Sequence, residues 1–304
     1  LDNSIVDGNV VDVRGALSDL VDGDGGGIFS LGSLTIRDST ISNNIAAGSN
    51  ALGGGVACRN ATNVLIQRSV LHANRVERNP DSFNDTASGG GISGEGCEIL
   101  VADSVIDANF SADDAGGIRT RGGIITIVRT TISNNRAAEG VPLGGGGAVL
   151  DDGDVIIDST IVGNQTDGHG GGIFARGAVS ILSSTIAGNT SNADGLFGGA
   201  GGGLYLPPGD PSPIIANSVF AGNLENGIGD HDDCEGIVLS QGFNLVQQSS
   251  GCTLVGGSGD QLDTNAGLAP LANNGGPTVG ASDATPTVVM LTRAPLASST
   301  LIDS

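Results

Sequence analysis

Gly170–Asn189 reads GGGIFARGAVSILSSTIAGN. Three glycines and an apolar residue open it, alternating apolar positions follow, and it closes on Ser-Thr-Ile-Ala-Gly-Asn. The same order recurs along most of the chain. Glycine triplets followed by an apolar residue stand at Gly25–Ile28, Gly53–Val56, Gly89–Ile92, Gly145–Ala148, Gly170–Ile173 and Gly201–Leu204, with Ala115-Gly116-Gly117-Ile118 as a weaker copy. A Ser or Thr precedes an Asn by five residues at Ser4/Asn9, Ser39/Asn44, Ser69/Asn74, Ser104/Asn109, Thr130/Asn135, Ser159/Asn164, Ser184/Asn189 and Ser218/Asn223. Successive Asn residues lie 35, 30, 35, 26, 29, 25 and 34 apart, and repeats of that length mean a solenoid.

The repeat is β. Leu34-Thr35-Ile36, Val64-Leu65-Ile66, Ile99-Leu100-Val101 and Ile125-Thr126-Ile127 place apolar, mostly β-branched residues two apart. The abundant Gly and Asn would break a helix. About 25 residues per turn accommodates roughly three short strands with their bends, one coil of a parallel β-helix. Parallel crossovers wind right-handed almost without exception. The sequence therefore predicts an all-β, right-handed, single-stranded parallel β-helix of about eight coils over residues 1–226. Residues 227–304 are read as an irregular, disulfide-stapled C-terminal extension continuous with the solenoid. Stacked coils bring each Asn about 4.8 Å from the next, so Asn9, Asn44, Asn74, Asn109, Asn135, Asn164, Asn189 and Asn223 form a structural ladder at a bend. Asn also tolerates the left-handed backbone that a bend needs.

Of 304 residues, 53 are Gly, 15% are charged and 38% are hydrophobic, which excludes both an ordinary globular core and wholesale disorder. The net charge is −21 and all 12 basic residues are Arg, so nucleic acid and anionic membranes are poor partners. No apolar run approaches membrane-spanning length. Four cysteines without a Cys-x-x-Cys fit disulfides in an oxidising compartment rather than a zinc site. Cys234 and Cys252 flank one short segment and are expected to pair; Cys58 and Cys97 lie in successive coils, slightly offset. The chain opens inside a repeat, as a mature N-terminus or an excised fragment would.

Between each Asn and the next triplet lie 15, 8, 14, 5, 9, 5 and 11 residues, loops that emerge on one flank, where binding usually resides. After Asn223 the pattern changes. Asp233-Cys234, Ser240-Gln241-Gly242-Phe243-Asn244-Leu245, Cys252, Gly259-Asp260, Leu268-Ala269-Pro270-Leu271 and Asn274-Gly275-Gly276-Pro277-Thr278 follow in order. That order resembles the C-terminal part of bacterial choice-of-anchor Q domain proteins, surface proteins with a β-helix body. The resemblance covers nearly the whole chain, most specifically residues 232–278, and implies secretion and an extracellular or cell-surface location. The closing stretch of that family is degenerate here at Ser299–Ser304. The repeats resemble polymorphic outer membrane proteins more loosely.

Two functions follow. One is a structural or adhesive surface protein that meets a cell-surface glycan and self-associates through the helix ends, Val288–Leu291 supplying a strand to the first coil of the next copy. The other is a lyase or glycoside hydrolase acting on acidic glycans. Its catalytic candidates are Asp113, Asp114, Arg119, Arg121 and His169. Asp114 and His169 stand 55 residues apart, and the Arg-x-Lys of polygalacturonase-like hydrolases cannot exist without Lys. Arg119 and Arg121 are expected beside Asp113 and Asp114, the mixture of charges a lyase uses. No cofactor is required, but Asp22 and Asp24, Asp151, Asp152 and Asp154, and Asp230, Asp232 and Asp233 offer hard oxygen ligands for Ca2+.

Overall fold

The computed structural model describes residues 1–14, 23–78, 86–138, 144–196, 198–227, 232–284 and 287–301, all strand, turn or bend without a helix. The regular coils contribute four short strands rather than the three expected, and two of them add a fifth, Asn50–Leu52 paired with Thr86–Ser88. Sheet I stacks Leu34–Arg37, Val64–Gln67, Glu98–Ala102, Ile124–Val128, Val155–Ile157, Ser180–Leu182 and Ile214–Ala216. Sheet II holds ten strands, from Ile5–Asp7 through Thr40–Ser42 and Val70–His72 to Gln261–Leu262. Sheet III holds eight, from Val10–Asp12 to Leu224–Glu225, and sheet IV begins at Ile28–Ser30 and stacks upward through Ile173–Ala175 to Leu204–Tyr205. Every pairing among them is parallel and joins one coil to the next, so the chain is a right-handed parallel β-helix. The seven-residue strand Cys234–Ser240 pairs with Leu204–Tyr205 at its front and with Ile214–Ile215 at its back, fusing sheets IV and I. Parallel pairing thus runs on through Cys252–Gly256 and Gln261–Leu262, beyond residue 226 where the repeat pattern stops.

The inward column of sheet I has the expected register: Ile36, Ile66, Val101, Ile127, Ile156 and Ile181 pair in succession and are fully buried. The Asn ladder is complete. From Asn9 to Asn223 each Nδ2 donates to the Oδ1 of the next Asn at 2.9–3.0 Å, and the ladder backbone N–H donates to the same oxygen. One expectation fails in detail. The left-handed residue at this bend is the one before each ladder Asn (Asn43, Ala73, Ala108, Asn134, Gly163, Gly188, Gly222), not the ladder residue itself. That twist turns the next side chain inward, where its amide also bonds a carbonyl of the preceding coil, as Asn74 does with Ile41 O at 2.9 Å.

The glycines and the ladder are one device. The interior is so thin that a Cβ on Gly55 would come within 3.0 Å of Asn74 Nδ2, and one on Gly54 within 2.6 Å of the Arg75 backbone. Any side chain there would push the ladder out of register.

The ladder ends on a carboxylate. Asn223 Nδ2 donates to Asp233 Oδ1 at 2.7 Å, and Gln248 N donates to Oδ2 at 2.8 Å. A second, parallel ladder of Ser hydroxyls accepts backbone N–H groups from the preceding coils on either side of Thr130, passes from Ser218 to Asn244, and ends on Asp260 Oδ1 at 3.0 Å.

Both disulfides form, Cys58–Cys97 with Cα atoms 6.4 Å apart and Cys234–Cys252 at 5.3 Å. Bonded pairs using all four cysteines belong to an oxidising compartment rather than the cytosol. No helix among the described residues is long and apolar enough to cross a membrane.

The last described stretch does not reach out as a spare strand. Thr278–Val279 and Val288–Val289 pair antiparallel, and the hairpin lies back along the outside of sheet II. Val279 and Met290 pack on Val70 and Val105. Gly280 N bonds Arg68 O at 2.9 Å, Ala281 N bonds Thr40 Oγ1 at 3.0 Å, and Ser282 N bonds Asn3 Oδ1 at 2.8 Å. Val288–Leu291, expected to complete another copy's first coil, is engaged within its own chain.

Replacing Asn135 by Ala strands the Asn109 donors and the Ile106 carbonyl, each worth about 1–3 kcal/mol when buried unpaired. A loss on the order of 3 kcal/mol should appear as a lower urea midpoint at unchanged slope. Mass mapping without reduction should recover the Cys58–Cys97 and Cys234–Cys252 peptides; free thiols at either pair would contradict the assignment.

Candidate functional site

The variable segments join sheet III to sheet IV, as the repeat placed them. Residues 15–22, 79–85, 139–143, 197 and 228–231 of these connections lie outside the described residues. At the base of this flank, the short turn between Phe110–Ser111 and Ile118–Arg121 carries Asp113 and Asp114. Asp114 is buried and ion-paired with Arg119, and Arg176 Nη2 stands 3.8 Å from its Oδ2. Burial brings the Arg119 guanidinium down to about 10, and the neighbouring charge of Arg176 adds to this. Burial likewise raises the Asp113 carboxyl, opposed by a backbone hydrogen bond from Ala87 and by the charges of Arg78, Arg119 and Arg176.

Of the two arginines expected beside Asp113 and Asp114, Arg119 pairs with Asp114 and Arg121 does not. Arg121 sits two residues further along the strand and lines a shallow depression with Arg59, Asn60 and Glu95. Arg176, from two coils on, takes the expected second place. His169 is elsewhere: its ring stacks on Tyr205 with centroids 4.1 Å apart, and Phe174 leans on Tyr205 at 5.1 Å. Burial lowers the pKa of His169, which favours the neutral ring. No hydrogen bond or ion pair joins it to Asp113 or Asp114 among the described residues. The hydrolase pairing of an acidic turn with this His does not assemble. What does assemble is a buried charge cluster whose Arg119 stays protonated at neutral pH against Asp114, poorly suited to accept a proton.

Asp22 and Asp230 of the calcium candidates lie outside the described residues. The others are dispersed into turns. Asp24 pairs with Arg59 at 3.0 Å; Asp151 accepts from Gly122 N at 3.0 Å and Asp152 from Ala178 N at 3.0 Å. Asp232 accepts from Glu225 N at 2.8 Å, and Asp233 ends the ladder. No three His, Cys, Asp or Glu side chains converge to hold a metal among the described residues. Asp154 is a core group. Fully buried, it accepts from Thr120 Oγ1 at 2.5 Å, Ile125 N at 2.8 Å and Asp151 N at 2.8 Å. Thr120 stacks in register with Cys58 through Gly94, and each reaches to the turn that leads into sheet I of the next coil, one by a hydrogen bond and the other by a disulfide.

Two charged features escaped the sequence reading. The residue before each ladder Ser or Thr is left-handed and points outward: Asp38, Arg68, Asp103, Arg129, Asp158, Ser183, Asn217. Its signs alternate, with Arg68 on Asp38 and Arg129 on Asp103, each at 2.6 Å. Aligning the repeats one position upstream of the Ser or Thr would have shown it. On sheet II, His72 Nδ1 meets Asp107 Oδ2 at 3.0 Å, while Ser133 and Asn134 donate to Oδ1 at 2.7 and 2.8 Å. The contact raises the His72 pKa. Burial pushes Asp107 up, but its three hydrogen bonds prevail and hold it below the usual carboxylate range. This pair lines a cleft of about 460 Å³ under the hairpin with Thr40, Asn43, Val279 and Val288.

No family model, no curated protein and no solved structure matches the chain.

Burial raises the Asp154 carboxyl to about 6, against 3.8 for the free group. Its stabilising contribution is therefore fully present below the unfolded value and lost as pH rises through about 6. In Asp154→Asn that slope should vanish, so the stability difference between wild type and variant should change by roughly 3 kcal/mol between acid and neutral pH. Urea titrations at several pH values read this; parallel curves for the two proteins would contradict it.

Proposed function

We propose that the chain is a secreted β-helix scaffold of a bacterial surface, structural or adhesive in role, whose loop flank meets a cell-surface glycan. The observation that carries this reading is that the reactive side chains are consumed by the fold. Asp114 is paired with Arg119, His169 is stacked on Tyr205, and Asp154 and Asp233 accept hydrogen bonds inside the coil. The two disulfides agree with export from the cytosol. The order of residues over 232–278 supports surface attachment by its resemblance to the choice-of-anchor Q domain. A surface carrying −21 without a single Lys favours neutral glycans over acidic ones.

The second reading, a lyase or hydrolase of acidic glycans, draws on one observation: Asp113, Asp114, Arg119 and Arg176 meet at the base of that flank with burial acting on Arg119. Incubating the purified chain with polygalacturonate and alginate separates the two. No unsaturated product or new reducing end should appear, while isolated cell envelopes retain the protein. Turnover that disappears in Arg119→Gln, with the fold intact by circular dichroism, would establish the enzyme instead.

A further inference from the structure

The chain has seven Phe, a single Tyr and no Trp, yet two of these few aromatic rings meet a His at one place on the loop flank. Phe174 and Tyr205 are register neighbours on the outward column of sheet IV, which runs from Phe29 to Glu235. Phe174 is only 4% exposed, packed under Ala115 of the loop flank. The column opens at Tyr205, which is half-buried. His169, from the connection that enters the Phe174 strand, lies nearly parallel to the Tyr205 ring, and Phe174 braces that ring at an angle of 49°. The ring is thus held in place before anything binds, which lowers the entropy cost of using it.

The polar edge of this block is unspent. The Tyr205 hydroxyl takes part in no hydrogen bond among the described residues. His169 Nδ1, shielded from solvent, also lacks a partner among them. Burial raises the Tyr205 pKa, with the charges of Glu235 and Asp210 adding to it, so the hydroxyl remains a donor at neutral pH.

The geometry points to Tyr205, backed by His169 and Phe174 and flanked by Glu235 and Asp210, as the place where the loop flank holds a neutral sugar of an envelope glycan. This rests on the scaffold reading above and gives that reading its contact residues. A sugar offers apolar C–H faces and a rim of hydroxyls. It therefore suits an aromatic ring with a polar tip and carboxylates that accept from O–H groups. The same two carboxylates repel an acidic sugar, as the charge of −21 does at longer range. A peptide finds less to hold here. Leu204 N and Leu206 N donate to Asp233 O and Glu235 O, both at 3.1 Å, so the strand beneath offers no open edge. With so few contacts, one sugar binds with a dissociation constant on the order of millimolar, and a polymer gains by repetition.

Envelope glycan of the producing bacterium, freed of protein by protease and separated by charge into neutral and acidic pools, supplies the probe. With one Tyr and no Trp, tyrosine emission reports this site alone. The neutral pool should change it saturably; the acidic pool, and neutral pool whose diols periodate has cleaved, should not. On whole envelopes, Tyr205→Ala should lower the retained fraction at least about fivefold. Tyr205→Phe keeps the packing on His169 and Phe174 and should lower it about threefold. Phe243→Ala, at a 68% exposed ring elsewhere, should leave it unchanged, and circular dichroism verifies each fold. Envelopes that hold wild type and both Tyr205 variants equally overturn the site while the scaffold reading stands, as does an emission that neither pool moves. Envelopes that fail to hold wild type overturn that reading and the site with it. Emission that answers only the acidic pool overturns the ligand class. So does retention abolished by protease treatment of the envelopes but not by periodate, which a peptide partner would give.

Discussion

The hydrogen bond from one ladder Asn to the next sets the terms for the rest of this molecule. To lie in a line the amides must turn inward at the same point of every coil. The left-handed residue before each of them, whether Asn43, Ala73 or Gly163, produces that turn. The wall opposite must leave room for the amide, and the third glycine of each triplet does so. The two halves of the repeat, far apart in sequence, are thus the two sides of one contact. The isoleucine column of sheet I fills the remaining interior, and its register follows once the amides are stacked.

Stacking imposes a second rule on the outside. In a solenoid every outward residue faces its counterpart in the next coil at strand spacing, so like charges at one position would repel along the whole length. At the corner before the Ser ladder the chain alternates Asp38, Arg68, Asp103 and Arg129, and each Arg pairs with the preceding Asp. These pairs are half exposed and contribute little stability singly. Their value is in avoiding repulsion in an acidic chain. On the sheet II surface the same need is met by neutral donors: Ser42 and Asn43 hold Asp7, and Ser133 and Asn134 hold Asp107.

The fold was legible because its determinants repeat. Ser or Thr with Asn five residues on, the glycine triplets and the alternating Ile positions gave the ladder, the parallel stacking and the isoleucine register. Cys234 and Cys252 were legible as a pair because they flank one short segment, and Cys58 and Cys97 because they lie in successive coils. Residues 227–304 were read as continuous with the solenoid but irregular; their parallel strands were hidden because the last coils replace the ladder Asn by Asp233 and the ladder Ser by Asn244, so the acceptor survives while the motif does not. At the flank, local order served less well. Asp114 and Arg119 lie five residues apart and do meet, but Arg176 arrives from two coils away, a relation fixed by loop lengths that differ from coil to coil. His169 beside glycines looked reactive in sequence; only the position of Tyr205 in the next coil shows it to be packed.

The ladder also has a direction. Every amide gives its hydrogen toward the C-terminal coils and accepts from the other side, so the side-chain dipoles add along the axis. Backbone bonds in parallel strands point alternately both ways and largely cancel. A carboxylate at the receiving end meets the positive pole of this chain of dipoles, and an ionised carboxylate has no hydrogen to pass on. Asp233 is thus a terminator. A stack of identical coils is in principle a template, since each finished rung presents what the next one needs. Substituting a single oxygen for the amide nitrogen leaves that rung with nothing to offer, and the propagation of order through the interior stops within the molecule itself.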